Sequence, residues 1–290
     1  MKTTPLVSVV VITYLHEKYI YDCILNILNQ NYENFEILIF DDNSPDDTEN
    51  VVNSLQAHPN FFRLSYFRNA LNIGFQLNLI HAIKASKGEY VAICEGDDYW
   101  INRNKLSRQF TFLQENSSFF AVVHNAIRVS DDERKSMNNN QESQVVFPDF
   151  YFSNGNDLNI PTASIFCRNN FKILEYWKKL PMLDYPILVN CFNQGGIYYF
   201  SDELSVYRKH DGGISKKIHD SDLYFKRKAM MFLKLFIQFR NIYLLKAASM
   251  NFIYFVFDGR TKISKRILYV PVAAFLFPRH IKIILYKLLK

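Results

Sequence analysis

Short apolar segments alternate with helical segments through the first 130 residues, and this alternation limits the possible folds more than any other feature. Four segments have the composition of buried strands, namely Val7–Ile12, Ile37–Phe40, Phe62–Phe67 and Tyr90–Cys94. The stretches between them place apolar residues three or four positions apart, as in a helix that covers a sheet. This rhythm predicts an α/β fold with a mostly parallel sheet flanked by helices.

Polar residues directly follow three of the four predicted strands. They are Thr13 and Tyr14 after the first strand, Asp41 and Asp42 after the second, and Glu95, Asp97 and Asp98 after the fourth. Ligands of open α/β sheets bind beyond the carboxyl ends of the strands. We therefore expect these three clusters to meet in one crevice.

The segment ICEGDDYW, residues 93–100, carries three carboxylates within four positions. Like charges packed this closely repel each other unless a cation offsets them. Hard cations such as Mg²⁺ and Mn²⁺ prefer oxygen ligands and are often held by one or two carboxylates together with substrate phosphates. The turn therefore predicts a metal ion that bridges the protein and a diphosphate.

The pattern is less regular after residue 118. We predict strands at Phe119–Val129, Thr162–Cys167 and Ile197–Phe200, helices at Phe171–Lys179 and Pro186–Phe192, and an exposed loop at Asp131–Gln144. A helical region rich in basic and aromatic residues begins near Ser221, so the predicted domains are 1–220 and 221–290.

Charge is distributed unevenly between these two predicted domains. Residues 221–290 contain 14 Lys and Arg against two Asp and Glu, a net charge of +12, whereas the whole chain carries +6. A basic tail predicts an anionic partner. Its longest uncharged stretch, Ile267–Pro278, is shorter than the roughly 20 residues of a spanning helix. We expect either peripheral contact with a membrane through 221–290 or a helical cap on the catalytic domain. No motif predicts nucleic-acid binding.

The cysteines and the N-terminus both bear on the compartment. Four cysteines without a C-x-x-C pair predict reduced core residues rather than disulfides or a zinc site. The apolar run at Val7–Ile12 is too short for a secretory signal and lacks a cleavage site. These features predict a cytoplasmic protein, and the basic tail extends that prediction to the inner face of the cell membrane.

Five segments in order, VSVVVITY, FEILIFDDNSPDDT, NIGFQLN, GEYVAICEGDD and YRKHDGGIS, resemble the successive motifs of family 2 inverting glycosyltransferases with the GT-A fold, which is Rossmann-like. The resemblance covers residues 5 to about 215. It implies transfer of a sugar from a nucleotide diphosphate sugar, by family habit a UDP-sugar, to a hydroxyl of a glycan or lipid-linked acceptor. The cofactor that it implies is Mg²⁺ or Mn²⁺.

Matching the family's motifs position by position implies a role for each site residue. Nucleotide-sugar binding is implied for Thr13, Tyr14, Asp41, Asp42, Arg68, Asn72, Gly74, Asn78, Glu95 and Arg208, and metal binding for Asp97, Asp98 and His210. Glu95 stands where the family's Asp-x-Asp motif usually begins with Asp. The mobile loop that includes Gly212 and Gly213 is expected to close over the donor, and Thr162 is expected beneath the acceptor.

An inverting transfer needs a general base that takes the proton of the acceptor hydroxyl. The resemblance assigns this role to Asp184, in PMLDYPILVNC, at the start of a helix opened by Pro186. An Asp before such a helix also serves as a simple N-cap.

Two other functions compete with this interpretation. A nucleotide-sugar-binding protein without catalysis, acting as a partner in a membrane glycan assembly complex, would accommodate the unusual Glu95. A sugar nucleotidyltransferase shares the sheet architecture but has a glycine-rich basic loop after the first strand, where this chain has TYLHEKY.

Overall fold

The computed structural model of the chain describes residues 4–131, 133–139, 142–152, 158–214, 221 and 223–257. The chain forms two compact units. The first is made of 1–146, 157–178 and 190–210, and the second of 147–156, 179–189 and the residues from 211 onward. The predicted tail segment 258–290, including Ile267–Pro278, lies outside the described residues.

One sheet of ten strands forms the centre of the first unit. Its strands are β1 (Val7–Thr13), β2 (Phe35–Asp41), β3 (Leu64–Arg68), β4 (Tyr90–Glu95), β5 (Tyr99–Trp100), β6 (Phe119–Val129), β7 (Arg134–Ser136), β8 (Gln144–Val146), β9 (Phe166–Arg168) and β10 (Gly196–Arg208). The order is β3-β2-β1-β4-β9-β6-β10-β5, with β7 beside β6 and β8 beside β10. The first four strands in this order are parallel, and β9 runs antiparallel to both of its neighbours. The predicted α/β sheet is confirmed.

The helices are α1 (Ile20–Leu28), α2 (Thr48–Asn53), α3 (Phe75–Ala85), α4 (Lys105–Glu115), α5 (Pro148–Phe152), α6 (Asp184–Gln194), α7 (Tyr224–Phe239) and α8 (Ile242–Phe257). Every residue of β1 is buried, as expected for a central strand covered on both faces. Helix α1 buries the apolar residues whose spacing predicted it. All four cysteines are buried and free.

Several boundaries in the second half differ from those predicted. Thr162–Ser164 is a 3₁₀ turn and only Phe166–Arg168 is a strand, while the helix predicted at Phe171–Lys179 is reduced to a 3₁₀ turn at Glu175–Lys179. β10 continues to Arg208 through shifts in register near Glu203. Such irregularities place polar residues inside a strand and conceal its alternation. The short strand β7 was missed because its three residues are all polar and lie within the segment predicted as a loop.

Helices and aromatic contacts build the described part of the second unit. Tyr151 and Phe152 of α5 pack with Tyr185 of α6, and Phe232 of α7 contacts both Phe152 and Tyr185. Among the residues that the structure describes, no helix has the length and apolarity required to cross a membrane.

Candidate active site

The ends of four neighbouring strands of the first unit lie side by side at one edge of the sheet. Thr13 pairs with Asp41 across β1 and β2, Asp41 pairs with Arg68 across β2 and β3, and Ile12 pairs with Glu95 across β1 and β4. The polar clusters that follow these strands are therefore neighbours, because β1 stands between β2 and β4.

Asp41 organises the turn that follows β2. Its Oδ1 accepts hydrogen bonds from the backbone N and the Oγ of Ser44, at 3.0 and 2.5 Å. Its Oδ2 accepts a 2.7 Å bond from the hydroxyl of Tyr66, whose pKa is raised by burial and by this bond. Arg68 donates to the carbonyl of Ser44 at 2.7 Å and to Glu49 at 2.9 Å. These contacts hold the turn in shape.

Asp42 organises the segment that leads into α3. Its Oδ1 accepts hydrogen bonds from Asn69 Nδ2 at 2.9 Å and from the backbone N of Ile73 at 2.8 Å. Its Oδ2 accepts a 2.8 Å bond from the backbone N of Gly74. Only 2% of Asp42 is exposed. The carboxylate thus accepts three hydrogen bonds from the protein and fixes the path of residues 69–74.

The remaining predicted residues of this segment complete the same network. Asn78 donates to the carbonyl of Phe40 at 2.7 Å and accepts a 3.0 Å bond from Asn69. Asn72 is exposed and its Oδ1 accepts a 3.2 Å bond from the backbone N of Gly74. Gly74 has a φ of 87°, a conformation that favours glycine.

The loop after β1 is held in an uncommon backbone conformation. Leu15 has a φ of 59°, and its backbone N donates to Ser44 Oγ at 3.0 Å. Tyr14 is 37% exposed, so its ring is open to a ligand. Thr13 is buried, and its Oγ1 has no hydrogen-bond partner among the described residues. A residue with positive φ that is not glycine is often found at a functional site.

The acidic turn after β4 brings Asp97 to two imidazoles. The Nε2 of His210 lies 3.0 Å from Asp97 Oδ2, and the Nε2 of His16 lies 3.7 Å from the same oxygen. Burial alone would raise the pKa of Asp97, but the bond to His210 and the two histidine charges outweigh it and hold that pKa below its ordinary value. Asp97 is therefore an ionised carboxylate.

Gly96 lets this turn approach the loop after β1. A Cβ at this position would lie 2.9 Å from His16 Nδ1 and 2.9 Å from Thr13 Oγ1, which is closer than side chains pack. Glycine is thus needed for the contact between Thr13 and the turn.

Asp98 differs from Asp97 in its surroundings. It is buried, its Oδ1 accepts a 2.9 Å bond from the backbone N of Arg208, and its Oδ2 has no partner among the described residues. Burial, followed by the charges of Asp97 and Glu95, raises the pKa of Asp98 well above its ordinary value. Glu95 itself is half-buried.

Arg208 ties the acidic turn to α1. Its Nη1 donates to the carbonyl of Asp97 at 3.0 Å, and its Nη2 donates to Asp22 at 2.5 Å. The guanidinium carbon lies 4.2 Å from the ring centre of Tyr99. Its predicted contact with the nucleotide stays a prediction, whereas its contacts within the protein support a positioning role.

Comparison with known proteins decides the family. The profile of glycosyl transferase family 2 matches residues 8–176, which is more than half of the chain. The chain belongs to glycosyl transferase family 2.

This family 2 chain is similar in sequence to two bacterial proteins. The UDP-Glc:alpha-D-GlcNAc-diphosphoundecaprenol beta-1,3-glucosyltransferase WfaP of Escherichia coli is 34% identical over 116 residues, which are 40% of this chain and 44% of WfaP. An uncharacterized protein of Mycobacterium tuberculosis is 28% identical over 216 residues, which are 71% of this chain and 60% of that protein. The chain thus spans less than two thirds of the length of either relative.

The solved structures share the fold of the family 2 chain. S. aureus TarS 1–349, in complex with UDP-GlcNAc, has a TM-score of 0.69 at 17% identity and covers 96% of this chain and 83% of its own. The mannosyltransferase PcManGT from Pyrobaculum calidifontis, in complex with GDP-Man and Mn²⁺, has a TM-score of 0.56 at 17% identity, with 96% and 82% covered. At these identities the likeness shows the fold, which is GT-A.

The donor atoms of this family 2 site are compatible with a divalent cation. No group of three His, Cys, Asp or Glu within the described ranges is already arranged as a metal site. Mg²⁺ sites, however, often use only one or two carboxylates and complete their shell with substrate phosphates and water. The ionised Asp97 and the imidazole of His210 suit that pattern, whereas the buried carboxyl of Asp98 is engaged by the backbone of Arg208.

Asp184 belongs to the second unit of the family 2 chain. It is the first residue of α6, and its Oδ1 is buried without a partner among the described residues. Burial raises the pKa of Asp184, although a backbone bond from Tyr185 and the charge of Lys228 act in the opposite direction. Lys228 also donates a 2.8 Å bond to the hydroxyl of Tyr185.

Four residues around the candidate site residues were not predicted from the sequence, namely His16, Tyr66, Asn69 and Lys228. His16 stands two positions after Tyr14, so its place in a strand-end loop was the available signal. Asn69 follows β3 directly and offered the same signal. Tyr66 lies within β3, and Lys228 is one basic residue among many, so neither was distinguishable by its pattern.

Proposed function

We propose that this chain is an inverting glycosyltransferase. It would move a sugar from a nucleotide diphosphate sugar to a hydroxyl of a glycan or lipid-linked acceptor. The observation that carries the proposal is the edge of the sheet in the first unit. There, the nucleotide motifs after β1 and β2 adjoin an ionised Asp97 beside His210 in a chain of this family.

The nucleotide end of the donor is assigned to the loops after β1, β2 and β3. The exposed ring of Tyr14 offers a face on which a base can stack. Asp41 and Asp42 hold the turns that would surround the ribose, and Asn72 and Gly74 lie on the segment that Asp42 fixes. A UDP-sugar is supported by the UDP-GlcNAc bound in TarS and by the UDP-Glc in the name of WfaP.

The diphosphate end is assigned to the acidic turn. Asp97 and His210 would hold Mg²⁺ or Mn²⁺, Asp98 and Glu95 would add negative charge in the same turn, and Arg208 would keep the turn in place. A divalent ion at this position neutralises charge on the departing diphosphate. The Mn²⁺ in PcManGT supports this assignment.

The role of general base is assigned to Asp184. In the transfer, the acceptor oxygen forms a bond to the anomeric carbon while the bond from that carbon to the diphosphate oxygen breaks. The nucleoside diphosphate leaves, and the carboxylate of Asp184 takes the hydroxyl proton. A buried carboxyl with a raised pKa is a better base than an exposed one, and this supports the role.

For the acceptor, only a chemical class is assigned. The diphosphoundecaprenol in the name of WfaP supports an acceptor on a lipid carrier. Such an acceptor would place the reaction at the inner face of the cell membrane.

A donor hydrolysis assay tests the proposal. The purified full chain is incubated with a panel of nucleotide sugars in Mn²⁺, Mg²⁺ or EDTA, and the released nucleotide is measured. We expect slow, metal-dependent release from one donor. Asp184→Asn should lower the rate of transfer when an acceptor is supplied, whereas Asp131→Asn, at an exposed carboxylate, should not. Binding of the donor without turnover in the presence of acceptors would favour a binding partner, and no binding of any donor would refute the proposal.

A further inference from the structure

The exposed face of α7 combines basic and apolar side chains on one stripe. The exposed residues Arg227, Met230, Lys234 and Ile237 follow each other at steps of three and four, so they share one face of the helix. The stripe is about 15 Å long at 1.5 Å per residue. Two more exposed residues follow this helix, namely Arg240 directly after α7 and Ile242 at the start of α8. We call these six residues the α7 stripe.

The apolar members of the α7 stripe are strongly exposed. Met230 is 41%, Ile237 64% and Ile242 61% exposed. The opposite face of α7 already supplies core residues, including Ala229, Phe232 and Leu235. The stripe is therefore a second apolar surface of the helix, separate from the one that packs inside the unit.

The charged side chains that α7 and α8 themselves contribute are all basic. Residues 223–257 contain six Lys and Arg and no Asp or Glu. A helix with Lys or Arg beside apolar side chains on one face suits a membrane interface, where cations meet anionic headgroups and apolar groups enter the acyl boundary. Each such cation near an anionic surface is worth about a fivefold gain in binding.

We propose that the α7 stripe docks on an anionic phospholipid surface. The alternation of cations with exposed aliphatic side chains favours lipid over nucleic acid, because single-stranded nucleic acids require aromatic side chains for stacking and the stripe has none. This proposal concerns where the chain docks and does not depend on the transfer reaction. It would bring the chain to the surface that carries a lipid-linked acceptor.

Vesicle sedimentation tests the docking surface. The full chain is mixed with phosphatidylcholine vesicles that either contain or lack phosphatidylglycerol. We expect binding only to the anionic vesicles, weakened by salt. The double variant Arg227→Glu/Lys234→Glu should lower the affinity by at least about 25-fold. The matched control Lys84→Glu/Lys87→Glu, which reverses two exposed lysines of the first unit, should bind like the wild type.

Two further variants separate charge and insertion from misfolding. Arg240 has a φ of 56°, where glycine is favoured, so Arg240→Gly removes a cation without disturbing the turn and should weaken binding about fivefold. Ile237→Glu should weaken binding, whereas Phe62→Glu, at another exposed apolar side chain, should not. Thermal melting of each variant checks that it is folded.

A solvent-sensitive dye reports insertion directly. Met230→Cys labelled with the dye should show a blue shift in emission when anionic vesicles are added, and a label on Phe62→Cys should show none. Three results would overturn the proposal. The first is equal binding to both vesicle types, and the second is full binding by the stripe variants. The third is binding to a homopolymer RNA but not to vesicles, with the RNA binding lost in the stripe variants.

Discussion

The two acidic pairs at the edge of the sheet have similar sequences and different surroundings. Asp41 ends β2 and Asp42 follows it, and Asp97 and Asp98 follow β4. The carboxylate oxygens of the first pair accept hydrogen bonds from Ser44, Tyr66, Asn69, Ile73 and Gly74. In the second pair, Asp97 faces two imidazoles and the Oδ2 of Asp98 has no partner among the described residues.

This difference separates a structural role from a chemical one. Each carboxylate of the first pair already accepts three hydrogen bonds from the protein, so binding a cation there would disturb a network that holds the backbone. A carboxylate beside imidazoles keeps oxygen lone pairs for a cation. We therefore infer that the first pair shapes the donor pocket and that the second pair acts on the diphosphate.

Replacement of Asp97 should have the largest effect on catalysis. Asp97→Ala removes the ionised carboxylate assigned to the cation, so kcat/KM should fall about a thousandfold, and because the bond to His210 is lost the free energy of unfolding should fall by about 1–2 kcal/mol. Steady-state kinetics with the preferred donor and urea denaturation give the two values. A variant with near wild-type kcat/KM would contradict the assignment of the acidic turn.

Replacement of Asp42 should have the largest effect on stability. Asp42→Asn removes the charge that accepts two backbone N–H bonds and one from Asn69. Because hydrogen bonds to a charged group are strong, we expect a loss of about 2–4 kcal/mol in the free energy of unfolding, measured by urea denaturation. Unchanged stability would show that the segment 69–74 is held by other contacts.

Asp98→Asn should have the opposite effect on stability. Burial raises the pKa of Asp98, so the folded chain binds this proton more tightly than the unfolded chain. The wild type therefore loses stability as pH rises through the folded pKa. Asn cannot titrate and can still accept the bond from Arg208, so the variant should gain stability relative to the wild type as pH increases. Urea titrations in EDTA at several pH values measure this gain, and a loss at high pH would contradict it.

Asp184 lies outside both pairs and also has a buried carboxylate oxygen. The charge of Lys228 opposes the effect of burial on the pKa of Asp184, so Lys228→Met should raise that pKa further. A base must be ionised to act, and the acidic limb of the kcat/KM profile should therefore move to higher pH. Lys226→Met is the matched control. Profiles that coincide for the two variants would show that Asp184 does not control the limb.

The chain sequence predicted the sheet well because continuous apolar runs such as Val7–Ile12 are distinctive, and it placed all three strand-end clusters correctly. It did not distinguish Asp42 from Asp97, since both are acidic residues after a buried strand. Their difference depends on residues distant in sequence, Ile73 for one and His210 for the other. Short strands such as β9 were misjudged because three residues carry too little periodicity to be separated from a turn.

Replacement of His16 should have the smallest effect, and it tests which residues of the acidic turn and its neighbours hold the cation. Its Nε2 lies 3.7 Å from Asp97 Oδ2, which is longer than a hydrogen bond, and burial lowers the pKa of His16, so its imidazole is mostly uncharged at neutral pH and interacts weakly with Asp97. His16→Gln should therefore lower kcat/KM only about threefold, the size of a weak polar contact, and should weaken Mn²⁺ binding, measured by electron paramagnetic resonance, by a similar factor. His58→Gln, at a histidine outside this cluster, is the control. A loss as large as that of Asp97→Ala would place His16 among the groups that hold the cation, and the site would then have two imidazoles rather than one.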